Sequence, residues 1–199
     1  MEFEYVPLGN SCSPAAAVQT LEIRKFALPF DWVMSTYNGI CQCINEDFKN
    51  FHKHLRVESN KSRIVDYYNI SFPHDYSTTT QTKDEDDEES LVGEGIISEY
   101  WVDEIDKNLE KYQRRIQRFH NIFNNQFPII VLYRGSCQHI KYFQEVFKRK
   151  YNNTNIKYVV ANKENINSDD IISCNPELNG KWNDAEIWRD VINIIKNKF

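Results

Sequence analysis

Glycine and proline are scarce, with six of each in 199 residues, about half the ~12% combined share of an average chain. That scarcity excludes collagen-like and loop-rich architectures and favours long regular elements. No apolar run approaches the ~18–20 residues that a membrane-spanning helix needs, so no membrane partner is expected. The opening MEFEYVPL is acidic and lacks the apolar core of a secretory signal. The five cysteines (Cys12, Cys41, Cys43, Cys137, Cys174) are odd in number and widely scattered. They fit free thiols in a reducing setting better than a disulfide framework, so the expected location is cytoplasmic, the host cytoplasm if the source is viral. Positive charge is not in excess either. Lys and Arg number 24 against 29 Asp and Glu, a net charge of −5, which lacks the basic footprint of a nucleic-acid binder.

What is present is a globular composition, 41% hydrophobic and 14% aromatic, of a size suited to one domain over residues 1–199. The negative charge is concentrated in Asp84 to Glu89; without those six acids the balance is near +1. The surrounding stretch 77–95 has no periodic apolar residues and reads as a flexible acidic loop within the domain.

Glu4 to Leu8 reads as a strand ended by Gly9-Asn10. Ser13-Pro14 reads as a helix start, with Ser13 as N-cap and Pro14 in the first turn. A further helix is expected from Tyr37 to about Phe48, and an extended segment from Tyr67 to Phe72. Trp101, Ile105, Leu109, Tyr112, Ile116, Phe119 and Phe123 recur at three- and four-residue spacing, one apolar stripe of a long helix. PIIVLY (128–133), a helix from about Gln138 to Tyr151, and IKYVVA (156–161) form strand–helix–strand, the pattern of a parallel βαβ unit. A last helix starts near Asn183-Asp184. The expected fold class is therefore α/β, a mostly parallel sheet flanked by helices in three layers.

The stretch LGNSCSP (8–14) places a cysteine just before a helix start. Unpaired N–H groups and the helix dipole there favour a thiolate, and the same donors suit an oxyanion on a substrate carbonyl. Cys12 is thus a candidate nucleophile, against the plainer reading of a small residue buried at a tight corner. A thiol nucleophile needs a base. His74, ending the extended segment in FPHDY, is the candidate. His120 and His139 read as surface or satisfied core imidazoles, and His52 and His54, in the basic stretch Lys49 to Arg56, as solvated. Asp75 adjoins His74, but alternation in an extended chain points the two side chains apart. Asp31, among apolar neighbours in LPFDW, is a second candidate for the acid that orients the imidazole.

LGNSC before a helix, then LPFDW, FPHDY and KYQRRIQRF, in that order, resemble a family of uncharacterised proteins described as papain-like cysteine peptidases, found in bacteria and large DNA viruses. The motifs span about Val6 to Phe119. The resemblance implies a thiol hydrolase acting on a peptide or other acyl substrate without a cofactor, with Cys12 as nucleophile and His74 as base. Asp31 or Asp75 would be the third member, and Asn10 would offer its amide to the oxyanion. It also implies an alternative fold, papain-like α+β, with an antiparallel barrel beside a helical lobe.

A competing reading is a non-catalytic α/β module. Ligands of parallel sheets bind at the carboxyl ends of strands, where Arg134-Gly135 would suit a phosphate or carboxylate of a nucleotide or sugar-nucleotide. Arg114 and Arg118, with Lys111 and Arg115, form a basic face on the long helix that would accept an anion. It lacks the interleaved aromatics that stack bases, which argues against nucleic acid. Cys41, Cys43, His52 and His54 have the wrong spacing for a common zinc site, so no metal is expected.

Overall fold

The computed structural model describes residues 2–79, 95–177 and 182–199. Its centre is a four-stranded sheet of β1 (Glu4–Gly9), β6 (Ile129–Arg134), β7 (Ile156–Ala161) and β8 (Ile171–Cys174), in that spatial order and parallel throughout. Two short antiparallel pairs lie outside it: β2 (Arg56–Val57) with β3 (Ile64–Val65), and β4 (Thr78–Thr79) with β5 (Ile96–Ile97). The papain-like α+β alternative therefore gives way to the parallel α/β fold. Among the described residues, antiparallel pairing never exceeds these two-residue ladders and three isolated bridges. The acidic block lies outside the described residues, although the ends of the expected loop, Thr78–Thr79 and Ile96–Ile97, pair with each other.

The sheet is buried on both faces, which is why β6 opens as an unbroken apolar run and β7 is apolar but for Lys157 near its start. Ile129, Val131 and Tyr133 face α2 (Tyr37–Asn45), α3 (Ile105–Asn124) and α4 (Ile140–Lys150). Ile130 and Leu132 face α1 (Ser13–Thr20) and α5 (Ala185–Lys196), where Ala17, Val18, Trp188 and Ile195 close the second core. These are the three expected layers. The apolar stripe that begins at Trp101 opens as a 3₁₀ turn and becomes α3 at Ile105. At its start Asn108 is buried while Leu109 is only half-buried, because that turn faces the polar segment around Asp75.

All four strands end on one line: Gly9 is in register with Arg134, Arg134 with Ala161, and Ala161 with Cys174. The turn carrying Cys12 leaves from the first of these ends.

Candidate active site

Gly9 closes β1 so tightly that a β-carbon there would meet Arg134 N at 3.3 Å and the Pro14 ring at 3.4 Å. The chain turns through Asn10, which is exposed, and Ser11, and Cys12 takes the N-cap position of α1. Ser13, the expected cap, lies instead inside the first turn and is fully buried. A buried hydroxyl needs a partner, and Ser13 Oγ donates to Asn183 Oδ1 at 2.8 Å, an oxygen that also accepts from Trp188 Nε1 at 2.7 Å. Ser35 Oγ donates to the Gly9 carbonyl at 2.6 Å. The cysteine turn is thus pinned from both faces of the sheet.

Cys12 Sγ lies 3.5 Å from His74 Nε2, with the imidazole on the exposed side of the pair. Sixty-two residues of chain separate them, and they meet within the range of a thiol–imidazole hydrogen bond. Partial burial pushes the Cys12 thiol upward from its ordinary acidity, and the nearby Arg63 charge pulls it back in part. Of the five cysteines, only Cys12 and Cys41 are not buried, and burial drives Cys41 up to about 11.

Neither candidate acid reaches His74. Asp75 turns the other way: Lys111 Nζ sits 2.5 Å from Asp75 Oδ1, and the Tyr112 hydroxyl donates a short hydrogen bond to Oδ2. Asn108 Nδ2 donates to the Asp75 carbonyl at 2.7 Å. One turn of α3 therefore clamps the residue next to His74. Asp31 is 1% exposed and accepts from Arg24 Nη2 at 3.0 Å and from the Leu28 N–H at 3.1 Å. Burial raises its pKa to about 6 against the pull of Arg24. Asp31 holds the LPFDW turn, and the next residue, Trp32, presents its ring edge-to-face to His74 at 6.1 Å. Trp32 adopts a φ of 63°, a conformation that bulky residues rarely take and that the surrounding packing must hold. Sequence reasoning singled out the motif but passed over this tryptophan; an aromatic adjoining a buried acid was the available signal.

His52 corrects the expectation of a solvated imidazole. It is 1% exposed, stacked parallel to Tyr76 with Nε2 2.7 Å from the Tyr76 hydroxyl. Burial lowers it to about 4. His54 is exposed as expected. His120 and His139 meet the hydroxyls of Tyr151 and Tyr133 at 3.0 and 2.7 Å. Among the described residues, no group of three or more His, Cys, Asp or Glu could hold a metal ion.

The anion candidates do not form one site. Arg134 is ion-paired with Glu177, and the space beside Gly135 is filled by the Tyr133 ring. Arg118 donates to the Ala27 carbonyl at 3.4 Å and covers the Phe26 ring. Arg114, with Lys111 of the same helix face, lines a cleft beside His74.

Fold and site together define an α/β protein whose edge strand delivers a thiol to an imidazole. Residues 3–167 match the family described as "Putative papain-like cysteine peptidase", and the chain belongs to that family. It is also similar to an uncharacterized protein of Acanthamoeba polyphaga mimivirus, 25% identical over an alignment of 142 residues that covers 64% of this chain and 60% of that relative. No solved structure matches. Among the described residues, no helix is long and apolar enough to cross a membrane.

Proposed function

We propose that the chain is a cysteine-nucleophile hydrolase of acyl substrates, with Cys12 as nucleophile and His74 as general base. The observation that carries this reading is the 3.5 Å approach of Sγ to Nε2 at the start of a helix. Burial keeps the resting thiol protonated, so a base must take the proton as the sulfur attacks. His74 Nε2 accepts that proton while the carbon–sulfur bond forms at the substrate carbonyl. The oxyanion is met by backbone N–H groups of the Asn10–Ala15 turn other than that of Ser13, which donates to Ser11 Oγ at 3.4 Å, and Pro14, which has none. His74 then passes its proton to the leaving nitrogen or oxygen. In the second half it draws a proton from water, whose hydroxide displaces the thiolate from the acyl-enzyme.

In this reading the pair works without a carboxylate on the imidazole. Trp32 sets the ring plane and the clamp on Asp75 sets the backbone, so both are positioning residues. Membership of the family described as "Putative papain-like cysteine peptidase" supports the general kind; the same chemistry serves a peptide, ester or isopeptide.

The test is alkylation in a Cys41→Ser background, which leaves Cys12 as the only cysteine that is not buried. Wild-type Cys12 reacts at neutral pH, and His74→Ala slows it by about tenfold or more, the lower range of base assistance. Equal rates with and without His74 overturn the proposal.

A further inference from the structure

We infer that this site takes acyl substrates carrying an acidic side chain next to the scissile carbonyl, read by a cationic stripe on α3; the inference rests on the hydrolase reading above. Beside His74 opens a cleft of about 450 Å³, lined by Ser77, Glu104, Lys107, Lys111 and Arg114 among others. The three cations fall at positions i, i+4 and i+7 of one helix, which puts them on a single face.

They are not equivalent. Lys111 is neutralised by Asp75 and fixed by Asn108 Oδ1 at 2.8 Å. Glu104 Oε1 accepts the Ser77 N–H at 3.0 Å. Lys107 and Arg114 are exposed, and among the described residues neither has an ion-pair partner. They flank the neutral Lys111–Asp75 pair, so the cleft wall presents two cations and one further acid, Glu104, a net positive charge.

Geometry then sets the position read. Seven residues of helix span about 10 Å, the length of roughly three residues of extended chain. His74 lines this cleft and lies 3.5 Å from Cys12 Sγ, so a peptide with its carbonyl at Cys12 and its chain along the stripe has its nearest side chains beside these cations. A carboxylate there gains an ion pair with Lys107 or Arg114, whichever it adjoins, whereas a lysine meets like charge. The other basic residues of the helix do not contribute: Arg115 lies over the Tyr112 ring and Arg118 over Phe26.

Three peptidyl vinyl sulfones, identical except for Glu, Gln or Lys at the residue bearing the warhead, test this on the full chain. The Cys12 sulfur adds to the β-carbon, the alkene π bond opens, and the α-carbon takes the proton carried by His74, so no leaving group or oxidant is needed. The Glu probe is expected to label Cys12 up to about fivefold faster than Gln, the effect of one exposed ion pair, and Lys slower than both. Lys107→Glu with Arg114→Glu, both surface changes, reverses the order, and about 0.5 M salt flattens it. Equal rates for all three probes, or an order unmoved by the double reversal, overturn the inference while leaving the hydrolase reading intact. No labelling by any probe overturns both. Competition by a single-stranded oligonucleotide as strong as by a Glu-rich peptide would mark the stripe as a general polyanion face and likewise overturn it.

Discussion

Replacing Tyr112 with phenylalanine removes one oxygen from the site's support and nothing else. The ring stays in its cage, with the Phe51, Phe72 and His52 rings 5.1, 5.3 and 5.0 Å away. What is lost is a hydrogen bond to an ionised carboxylate, a class worth about 1.5–3 kcal/mol. Lys111 remains 2.5 Å from Asp75, so the carboxylate is not stranded, and the loss belongs near the middle of that range, about 2 kcal/mol. For a chain of this size that lowers Tm by roughly 4–8 °C. Urea unfolding with an unchanged m-value reads the first quantity. The second consequence is chemical. Asp75 is bonded to its neighbour His74, so loosening the clamp lets the imidazole drift from Sγ, and alkylation of Cys12 well below Tm should slow severalfold. A stability loss under about 0.5 kcal/mol would mean that the hydroxyl bears no charge-assisted bond. A full stability loss with an unchanged alkylation rate would show that the clamp serves the core alone.

Other outcomes follow from the buried ionisable groups and close contacts. Folded Asp31, raised to about 6, holds its proton more tightly than the unfolded chain does, so it adds stability as pH falls from about 6 towards 4. Folded His52, lowered to about 4, resists protonation and removes stability as pH falls from about 6.5 through the same window. Each effect is worth about 3 kcal/mol, so the two nearly cancel. Denaturant titrations at pH 7 and 4.5 should find Asp31→Asn more acid-labile than wild type and His52→Gln more acid-stable; parallel curves would refute the assignment. Gly39→Ala should destabilise by about 1–3 kcal/mol despite alanine's better helix propensity, because a β-carbon there meets the Tyr68 carbonyl at 2.6 Å. Trp32→Ala should slow Cys12 alkylation more than Trp32→Phe, which keeps an aromatic edge towards His74; identical rates would remove Trp32 from the site.

The strands that were legible are those whose environment is uniform. β6 and β7 are buried on both faces, so their composition alone announces them, whereas β8 is four residues long with polar flanks and gave no comparable signal. The stripe of α3 was readable because one face meets the core for five turns, but the shift from Leu109 to Asn108 depended on a partner more than thirty residues away. Local rules also misassigned the cap. Ser13 has the right chemistry for an N-cap, yet a tertiary acceptor, Asn183, took its hydroxyl and left the cap position to Cys12. His52 was hidden by its basic neighbours. The backbone there turns through left-handed φ at Asp47, Phe48, His52 and His54, which separates a buried imidazole from an exposed one two residues later. Cys12 and His74 could be nominated from motif position, whereas their 3.5 Å approach and the engagement of both candidate acids elsewhere are tertiary facts.

The edge position of β1 has a temporal meaning. Among the described residues its one ladder partner in the sheet is β6, about 125 residues further along the chain, and pairings that distant close late and slowly. During synthesis the cysteine turn therefore emerges first but has no seat until Arg134 has left the ribosome, well after His74 and α3 are available. A nascent or truncated chain ending before Ile129 carries every residue of the proposed pair and no sheet to hold them, so competence for chemistry would arrive as one late event instead of growing with chain length.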